Sequence, residues 1–342
     1  MFHHLTFATE KSLPALIAHG VTGARDLGGD LKQLDRWRDE IARGVRVGPR
    51  IFRAGPYVDG PKDGMPADRA AATLIVKTPD EARRAVSTLK QSGVDLIKIH
   101  NALPRDAFFA LMEEARKQRL PVAVHLPRTG IRSEEASDAG VRSLEHTENL
   151  IESVVFADPL RKKGDLDALN EFADEKAAEV FARFARNGTF YTPTLIAYQE
   201  AIRMREKTNP ASAAARKKIF PRFRQLVGLM QRSGVRLLAA SDFAWPDLTL
   251  RPGISLHDEL ELLLEAGLTP VQALQAATVN AARSLNVADK LGTIEKGKIA
   301  DLALLDANPL ADIANTRKIR AVVIGGKLIE KTALDEMRAK AQ

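Results

Sequence analysis

The sequence predicts an α/β fold in which parallel strands alternate with helices. Short apolar runs typical of buried strands recur along the chain, and amphipathic helical segments separate them. Four of these runs end in or near a polar side chain, at Lys98, His125, His146 and Asp242. Because the carboxyl ends of parallel barrel strands all face one site, these four residues can meet in space. Together they indicate a metal-dependent hydrolase.

The predicted elements follow each other in a regular order. The strands fall at residues 21–29, 50–55, 94–100, 120–125, 142–146, 189–196 and 235–242. The helices fall at residues 13–19, 31–44, 79–93, 104–119, 133–139, 165–187 and 211–233. Thr78 can cap the third of these helices, and Pro79 suits its first turn. No GxGxxG motif follows the first strand, so a dinucleotide-binding sheet is the weaker alternative.

The C-terminal segment has a different pattern. After a helical run over residues 268–285, short β runs occur in LGTIEKGKIADLALLDANP and in IRAVVIGGKLIEK. Turn residues separate these runs, and no helical segment lies between them. They predict a small antiparallel β element.

Composition excludes several classes of function. A chain of 342 residues can bury a sizeable core, and its lack of cysteine leaves only His, carboxylate or modified Lys as metal ligands. The net charge of +7 is not arranged in basic runs interleaved with aromatics, which argues against nucleic-acid binding. No apolar stretch reaches transmembrane length. No signal peptide is visible, so we expect a cytoplasmic protein, or an exported one if a signal segment lies upstream.

Several longer stretches resemble the amidohydrolase superfamily, in its branch of imidazolonepropionase-like and prolidase-like metal-dependent hydrolases. The similar stretches are GVTGARDLGG, GPRIFRAGPYVDGP, VDLIKIH, VAVHLPRT, SLEHTEN, AASDFAWP, LTPVQALQAATVNAARSL and GTIEKGKIADLALLDANPL. The resemblance implies a TIM-like (β/α)8 barrel over residues 1–290. It also implies the C-terminal part of a β-sandwich, with a terminal helix, over residues 291–342.

The resemblance also implies a role for each polar strand end. Lys98 would take up CO2 as a carbamate that bridges two metal ions, which suits a buried and readily neutralised amine. His125 and His146 would be ligands of one metal. Asp242 would bind the other metal and act as general base. The implied cofactor is a divalent cation, Zn2+ by expectation, with one or two ions per chain.

Two further residues have open alternatives. His100 alternates onto the same strand face as Lys98, one step further out, and is either a substrate contact or a surface loop residue. Arg128 either binds a substrate carboxylate or is a solvated surface residue. Asp95, in contrast, falls on the opposite face from Lys98.

The N-terminus departs from the family pattern. In the family the first strand ends in an HxH motif, whereas this chain begins MFHHL. Aligning the two puts Phe2 at the first His and His4 at the second, with His3 between them. We therefore expect a truncated or incomplete first barrel strand and a weak second metal site, held by His4 and Asp242.

Two functions from different classes follow. The first is a metal-dependent hydrolase that cleaves a bond in a small-molecule substrate. The bond would be of the amide type, such as a peptide or cyclic amide, or an ester. The alternative is a catalytically impaired scaffold or binding protein that lacks a complete HxH pair. In either case, C-terminal strands without partners would leave open edges that favour homo-oligomers.

Overall fold

The computed structural model describes residues 2–6, 9–62, 72–147, 173–244 and 249–341, and for residues 2–6 and 244 it describes the backbone path only. The strands are β1 (Phe2–Thr6), β2 (Gly23–Asp26), β3 (Arg50–Arg53), β4 (Tyr57–Asp59), β5 (Thr73–Ile75), β6 (Ile97–Ile99), β7 (Val122–Val124), β8 (Ser143–Glu145), β9 (Phe190–Thr192), β10 (Arg236–Leu237), β11 (Phe243–Ala244), β12 (Leu302–Leu305), β13 (Ile319–Ile324) and β14 (Lys327–Glu330).

Most helices lie between these strands, as the alternating pattern predicts. They are α1 (Ser12–Ala18), α2 (Leu31–Ala42), α3 (Pro79–Gln91), α4 (Arg105–Lys117), α5 (Ser133–Asp138), α6 (Asp174–Asn187), α7 (Leu195–Thr208), α8 (Pro210–Arg232), α9 (Ile254–Glu265), α10 (Pro270–Ala276), α11 (Val279–Ser284) and α12 (Lys331–Lys340). The predicted start of α3 is confirmed, because Thr78 and Glu81 form a capping box around Pro79.

Parallel pairing builds a TIM-type barrel. One sheet has the order β11-β1-β2-β3, and a second runs β10-β9-β8-β7-β6-β4-β5. The amide of Asp95, just before β6, donates to the Arg53 carbonyl of β3 at 2.9 Å and joins the two sheets on one side. The chain itself joins them on the other side, from β10 to β11. The first barrel strand, which was expected to be truncated or incomplete, is present as β1, and its backbone pairs with both β2 and β11.

Several predicted elements have different bounds in the structure, and three of these differences have an identifiable cause. The sixth predicted strand, at 189–196, ends at Thr192, because α7 begins only three residues later. The predicted strand at 235–242 shortens to β10, since the Asn280 side chain takes the Leu237 carbonyl. The predicted helix at 268–285 is two helices, and at their junction the Thr278 hydroxyl bonds the Leu274 carbonyl.

The predicted C-terminal β element is an antiparallel sheet in the order β12-β13-β14. It packs on the barrel through a small apolar cluster of Ile17, Ile319, Val322 and Leu334. Self-association through its two outer strands stays a prediction, as does the domain boundary at residue 290. In the described part of the chain, no helix is long and apolar enough to cross a membrane.

Candidate active site

Lys98 lies in the middle of β6 with its side chain inside the barrel. The residue is 2% exposed, and its Nζ atom is buried without a hydrogen-bond partner among the described residues. Burial lowers the pKa of Lys98 to about 8, although the negative charges of Glu145 and Asp242 act in the opposite direction. The amine is therefore much more readily neutralised than an ordinary lysine.

His125 follows β7 and presents a second buried nitrogen without a partner. Its Nε2 atom makes no hydrogen bond within the described ranges, and burial, followed by the nearby His146, lowers its pKa well below the usual range. The His125 and His146 rings lie 5.1 Å apart between centroids. Buried polar atoms are normally hydrogen-bonded, so Lys98 Nζ and His125 Nε2 are exceptions among the described residues that call for an explanation.

The donor set near these nitrogens is small. Of the His, Cys, Asp and Glu side chains that are described, no three lie together in a way that could hold a metal ion. His125 and His146 are only two residues of those types, so a metal site at this place would need Lys98 as a third ligand. The predicted ligand His4 has a side chain outside the described residues.

His146 and Asp242 lie on unusual backbone. Their φ angles are 70° and 54°, and Thr194, which contacts His146, has a φ of 50°. Such left-handed conformations are costly for residues other than glycine, and they concentrate at functional sites. The Asp242 Oδ2 atom lies 3.6 Å from His146 Nδ1, and the Asp242 side chain is 28% exposed. A carboxylate in this position can exchange protons with water at the barrel mouth.

An ion pair lies deeper in the barrel, and sequence reasoning missed it. Arg25 of β2 bonds Glu145 of β8 at 2.7 Å and the Thr192 hydroxyl at 2.9 Å. Ser143 donates to the other Glu145 oxygen at 2.5 Å. Both Glu145 oxygens are thereby bonded, which supports a carboxylate beside Lys98. The sequence does contain a signal for this pair, because each of the two buried strands includes a charged residue, Arg25 in one and Glu145 in the other.

A second polar cluster borders the site at the ends of β4 and β6. Asp59 Oδ2 lies 3.0 Å from His100 Nδ1 and 2.5 Å from Lys62 Nζ, while its Oδ1 accepts the amides of Gly60 and Ala102. Burial alone would raise the pKa of the Asp59 carboxyl group, but the hydrogen bonds from His100, Lys62 and the Ala102 amide together bring it below its usual value. The His100 ring lies 5.0 Å from that of His125. Asp59 thus fixes the orientation of the His100 ring next to His125.

Tyr57 packs against the other side of His100, with the ring centroids 5.1 Å apart. A Cβ atom at Gly28 would come within 2.4 Å of the Tyr57 ring, so the glycine-rich loop after β2 needs this glycine. Arg128 is exposed, and its backbone amide donates to the Asn101 carbonyl beside the His100 loop. Its positive charge contributes to the low pKa of His125.

The sequence matches a family model described as "Amidohydrolase family" over residues 3–329. The chain belongs to the amidohydrolase family. Among curated relatives of this amidohydrolase, the ochratoxinase of Aspergillus niger is 26% identical over 359 aligned positions, which cover 92% of this chain and 66% of that protein. An imidazolonepropionase from Sphingopyxis alaskensis is 38% identical over 92 positions, covering 25% of this chain and 21% of that protein. The chain thus spans less than two thirds of the length of these relatives.

Solved structures show the same fold. A bottromycin amidohydrolase superposes with a TM-score of 0.79 at 24% identity, covering 99% of this chain and 78% of the other. A prolidase complexed with N-methylphosphonate-L-proline gives a TM-score of 0.72 at 21% identity, covering 96% and 85%. At this identity the likeness supports the barrel and not a particular substrate.

Proposed function

We propose that this amidohydrolase hydrolyses amide-type bonds, including peptide, cyclic amide or ester bonds, in a small-molecule substrate. The observation that carries the proposal is a pair of buried nitrogens, Lys98 Nζ and His125 Nε2, that have no hydrogen-bond partner in the described part of the chain and lie near His146 and Asp242. Family membership and the similarity to an ochratoxinase support the reaction class.

Lys98, His125 and His146 would hold a divalent cation, Zn2+ by expectation. When bound, such an ion polarises a carbonyl group and lowers the pKa of a water molecule. The low pKa of Lys98 makes a neutral amine available. That amine can form a bond to CO2 and release a proton, and the resulting carbamate oxygen is a better metal ligand than an amine.

Asp242 would serve as general base. Its side chain reaches solvent at the barrel mouth and lies close to His146, so it can take the proton of the attacking water. The same proton can then pass to the leaving nitrogen. His100, held by Asp59, would contact the substrate, and the exposed Arg128 would bind a carboxylate group of the substrate.

The test is to measure metal content and hydrolysis together. Protein purified with zinc and bicarbonate is expected to hold nearer one ion than two, because His4 and Asp242 alone offer too few ligands for a second site. Elemental analysis would give the ratio, and a panel of N-acyl amino acids and dipeptides would give the activity, with and without chelator. Two tightly held ions per chain would contradict the first-strand interpretation, and hydrolysis that survives complete metal removal would contradict the proposed reaction.

A scaffold or binding protein is the second candidate, favoured by the absence of a three-residue His, Cys, Asp or Glu cluster in the described part of the chain. A chain that binds no zinc and cleaves none of the panel, but binds a small molecule, would support it.

Replacing Asp59 is expected to affect substrate binding more than catalysis. Asp59→Asn keeps the shape but weakens the charge-assisted bonds to Lys62 and His100, so His100 loses its fixed orientation. We expect KM to rise by about tenfold while kcat changes by less than about threefold, a loss typical of one charge-assisted hydrogen bond. Steady-state kinetics against Asp312→Asn, a change at an exposed carboxylate of the C-terminal segment, would check this. An unchanged KM would remove His100 from the substrate site.

A further inference from the structure

Arg25 reaches across the interior of the barrel to residues of the opposite wall. It lies on β2 in one sheet, whereas Ser143 and Glu145 lie on β8 and Thr192 on β9 in the other. Its guanidinium group donates to Glu145 Oε2 at 2.7 Å, to the Thr192 hydroxyl at 2.9 Å and to the Ser143 hydroxyl at 3.2 Å. The Arg25 side chain is 8% exposed and that of Glu145 is fully buried, so this ion pair lies inside the protein.

Glu145 also has a second cationic side chain within reach, that of Lys98. The strand register aligns Lys98 with Ala123 and Ala123 with Ser143, so Lys98, Ser143 and Glu145 share the inner face of the barrel. Their strands are two apart, about 10 Å between backbones, which extended lysine and glutamate side chains can bridge. Of the charged groups that raise the pKa of Lys98, Glu145 has the largest effect. A buried ammonium group normally pairs with a carboxylate at such a place.

In the structure, however, Glu145 bonds Arg25 rather than Lys98. One Glu145 oxygen accepts from the guanidinium group, and the other accepts from the Ser143 hydroxyl at 2.5 Å. Lys98 Nζ makes no hydrogen bond in the described part of the chain. Arginine is well suited to this competition, because its planar fork directs several N–H groups at once. Here the fork bonds Glu145 directly and also bonds Ser143, which fixes the second oxygen.

We infer that Arg25 is a positioning residue that holds the Glu145 carboxylate away from Lys98. An ammonium group bonded to Glu145 would have no lone pair for CO2 or for a metal ion. By retaining Glu145, Arg25 leaves the Lys98 amine available. The choice of partner by Glu145 does not depend on the proposed function, whereas the consequence for zinc binding rests on it.

The experiment compares full-length wild type, Arg25→Met and the double variant Arg25→Met/Glu145→Gln. Methionine fills the space of the arginine stem without its charge, so in crystals of chelated Arg25→Met a Glu145 oxygen should lie within about 3.2 Å of Lys98 Nζ. Zinc titration in bicarbonate should show an affinity lower by about 10- to 100-fold in this variant. The double variant has no carboxylate to pair with Lys98, and it leaves no buried charge of the pair behind. It should therefore recover most of the lost zinc affinity, which a merely structural role of Arg25 would not produce.

Arg222→Met is the matched control, because Arg222 is similarly buried, with its side chain 9% exposed, and pairs with Asp174 at 2.6 Å on the helices outside the barrel. It should lower the melting temperature but leave the zinc affinity unchanged. If Arg25→Met does not fold, Arg25→Gln serves in its place, since it also lacks the charge but keeps hydrogen-bonding groups.

Two results would overturn the inference. One is a folded Arg25 variant in which Glu145 still lies away from Lys98. The other is a double variant that recovers none of the zinc affinity lost in the single variant. A wild type that binds no zinc, together with the new contact between Glu145 and Lys98 in the Arg25 variant, would support the inference and count against the proposed function alone.

Discussion

Asp242→Asn is expected to reduce kcat/KM by about two to four orders of magnitude, the usual contribution of a positioned general base together with a metal site. Asparagine keeps the size of the side chain but cannot take a proton from water. Since Asp242 has a left-handed φ of 54°, asparagine is also a substitution that its backbone tolerates well. The melting temperature should therefore change little.

Asp289→Asn provides the control, because Asp289 is an exposed carboxylate outside the site. Its kinetics should match those of the wild type. Full activity in Asp242→Asn would show that another group accepts the proton, and the mechanism proposed for this chain would be wrong.

Lys98→Met should separate activity from stability. Methionine has a similar length, so the barrel interior remains filled, but it cannot form a carbamate with CO2 and its thioether is a poor ligand for Zn2+. We expect the hydrolysis rate to fall by at least about a hundredfold. We also expect the metal-free variant to be more stable than metal-free wild type by about 1–3 kcal/mol, because the substitution removes a buried polar atom that has no hydrogen-bond partner among the described residues.

The gain in stability should depend on pH. Folding lowers the pKa of Lys98 from 10.5 to about 8, so the cost of burying its charge is fully present below pH 8. That cost declines as the pH rises from 8 to 10.5, where the amine is neutral in the unfolded chain as well. Denaturant unfolding of both proteins after chelation, at pH 7 and pH 10, would measure the difference. A separate variant, Lys98→Ala, tests the carbamate. Partial recovery of its activity by added short carboxylates would support the carbamate, because a carboxylate could take its place. A Lys98→Met protein that is less stable than wild type at both pH values would contradict the conclusion that burial of the Lys98 amine destabilises the metal-free protein.

The barrel could be predicted because its strands and helices have distinct periods and clear boundaries. Strand lengths were less predictable, since β10 ends where a side chain from α11 takes its carbonyl. The candidate ligands could also be predicted, because parallel strands bring their carboxyl ends together whatever the loops do. Their chemical roles remain proposals.

The supporting residues could not be found in this way. Glu259 lies in the run HDELELLLEAG, where its neighbours Asp258 and Glu261 pair with Arg317 at partly exposed positions. In the sequence, nothing distinguishes the buried acid from these two. Glu259 accepts a hydrogen bond from the amide of Ile196, which lies on another helix, and the sequence does not reveal this contact. Asp59 was missed for the same reason, since its importance depends on His100 and Ala102 across a neighbouring strand.

The position of β1 has a consequence for how the protein is made. Residues 2–6 pair with β2 over four positions and with β11 over Leu5↔Phe243 and Thr6↔Ala244. The second pairing joins the beginning of the described chain to its last barrel strand, so it closes the ring only after the ribosome has delivered residue 244. Until then one side of β1 has no partner strand, and contacts of such long sequence separation form slowly. Ring closure should therefore be a late step of folding, and the nascent chain is most exposed to mispairing just before it.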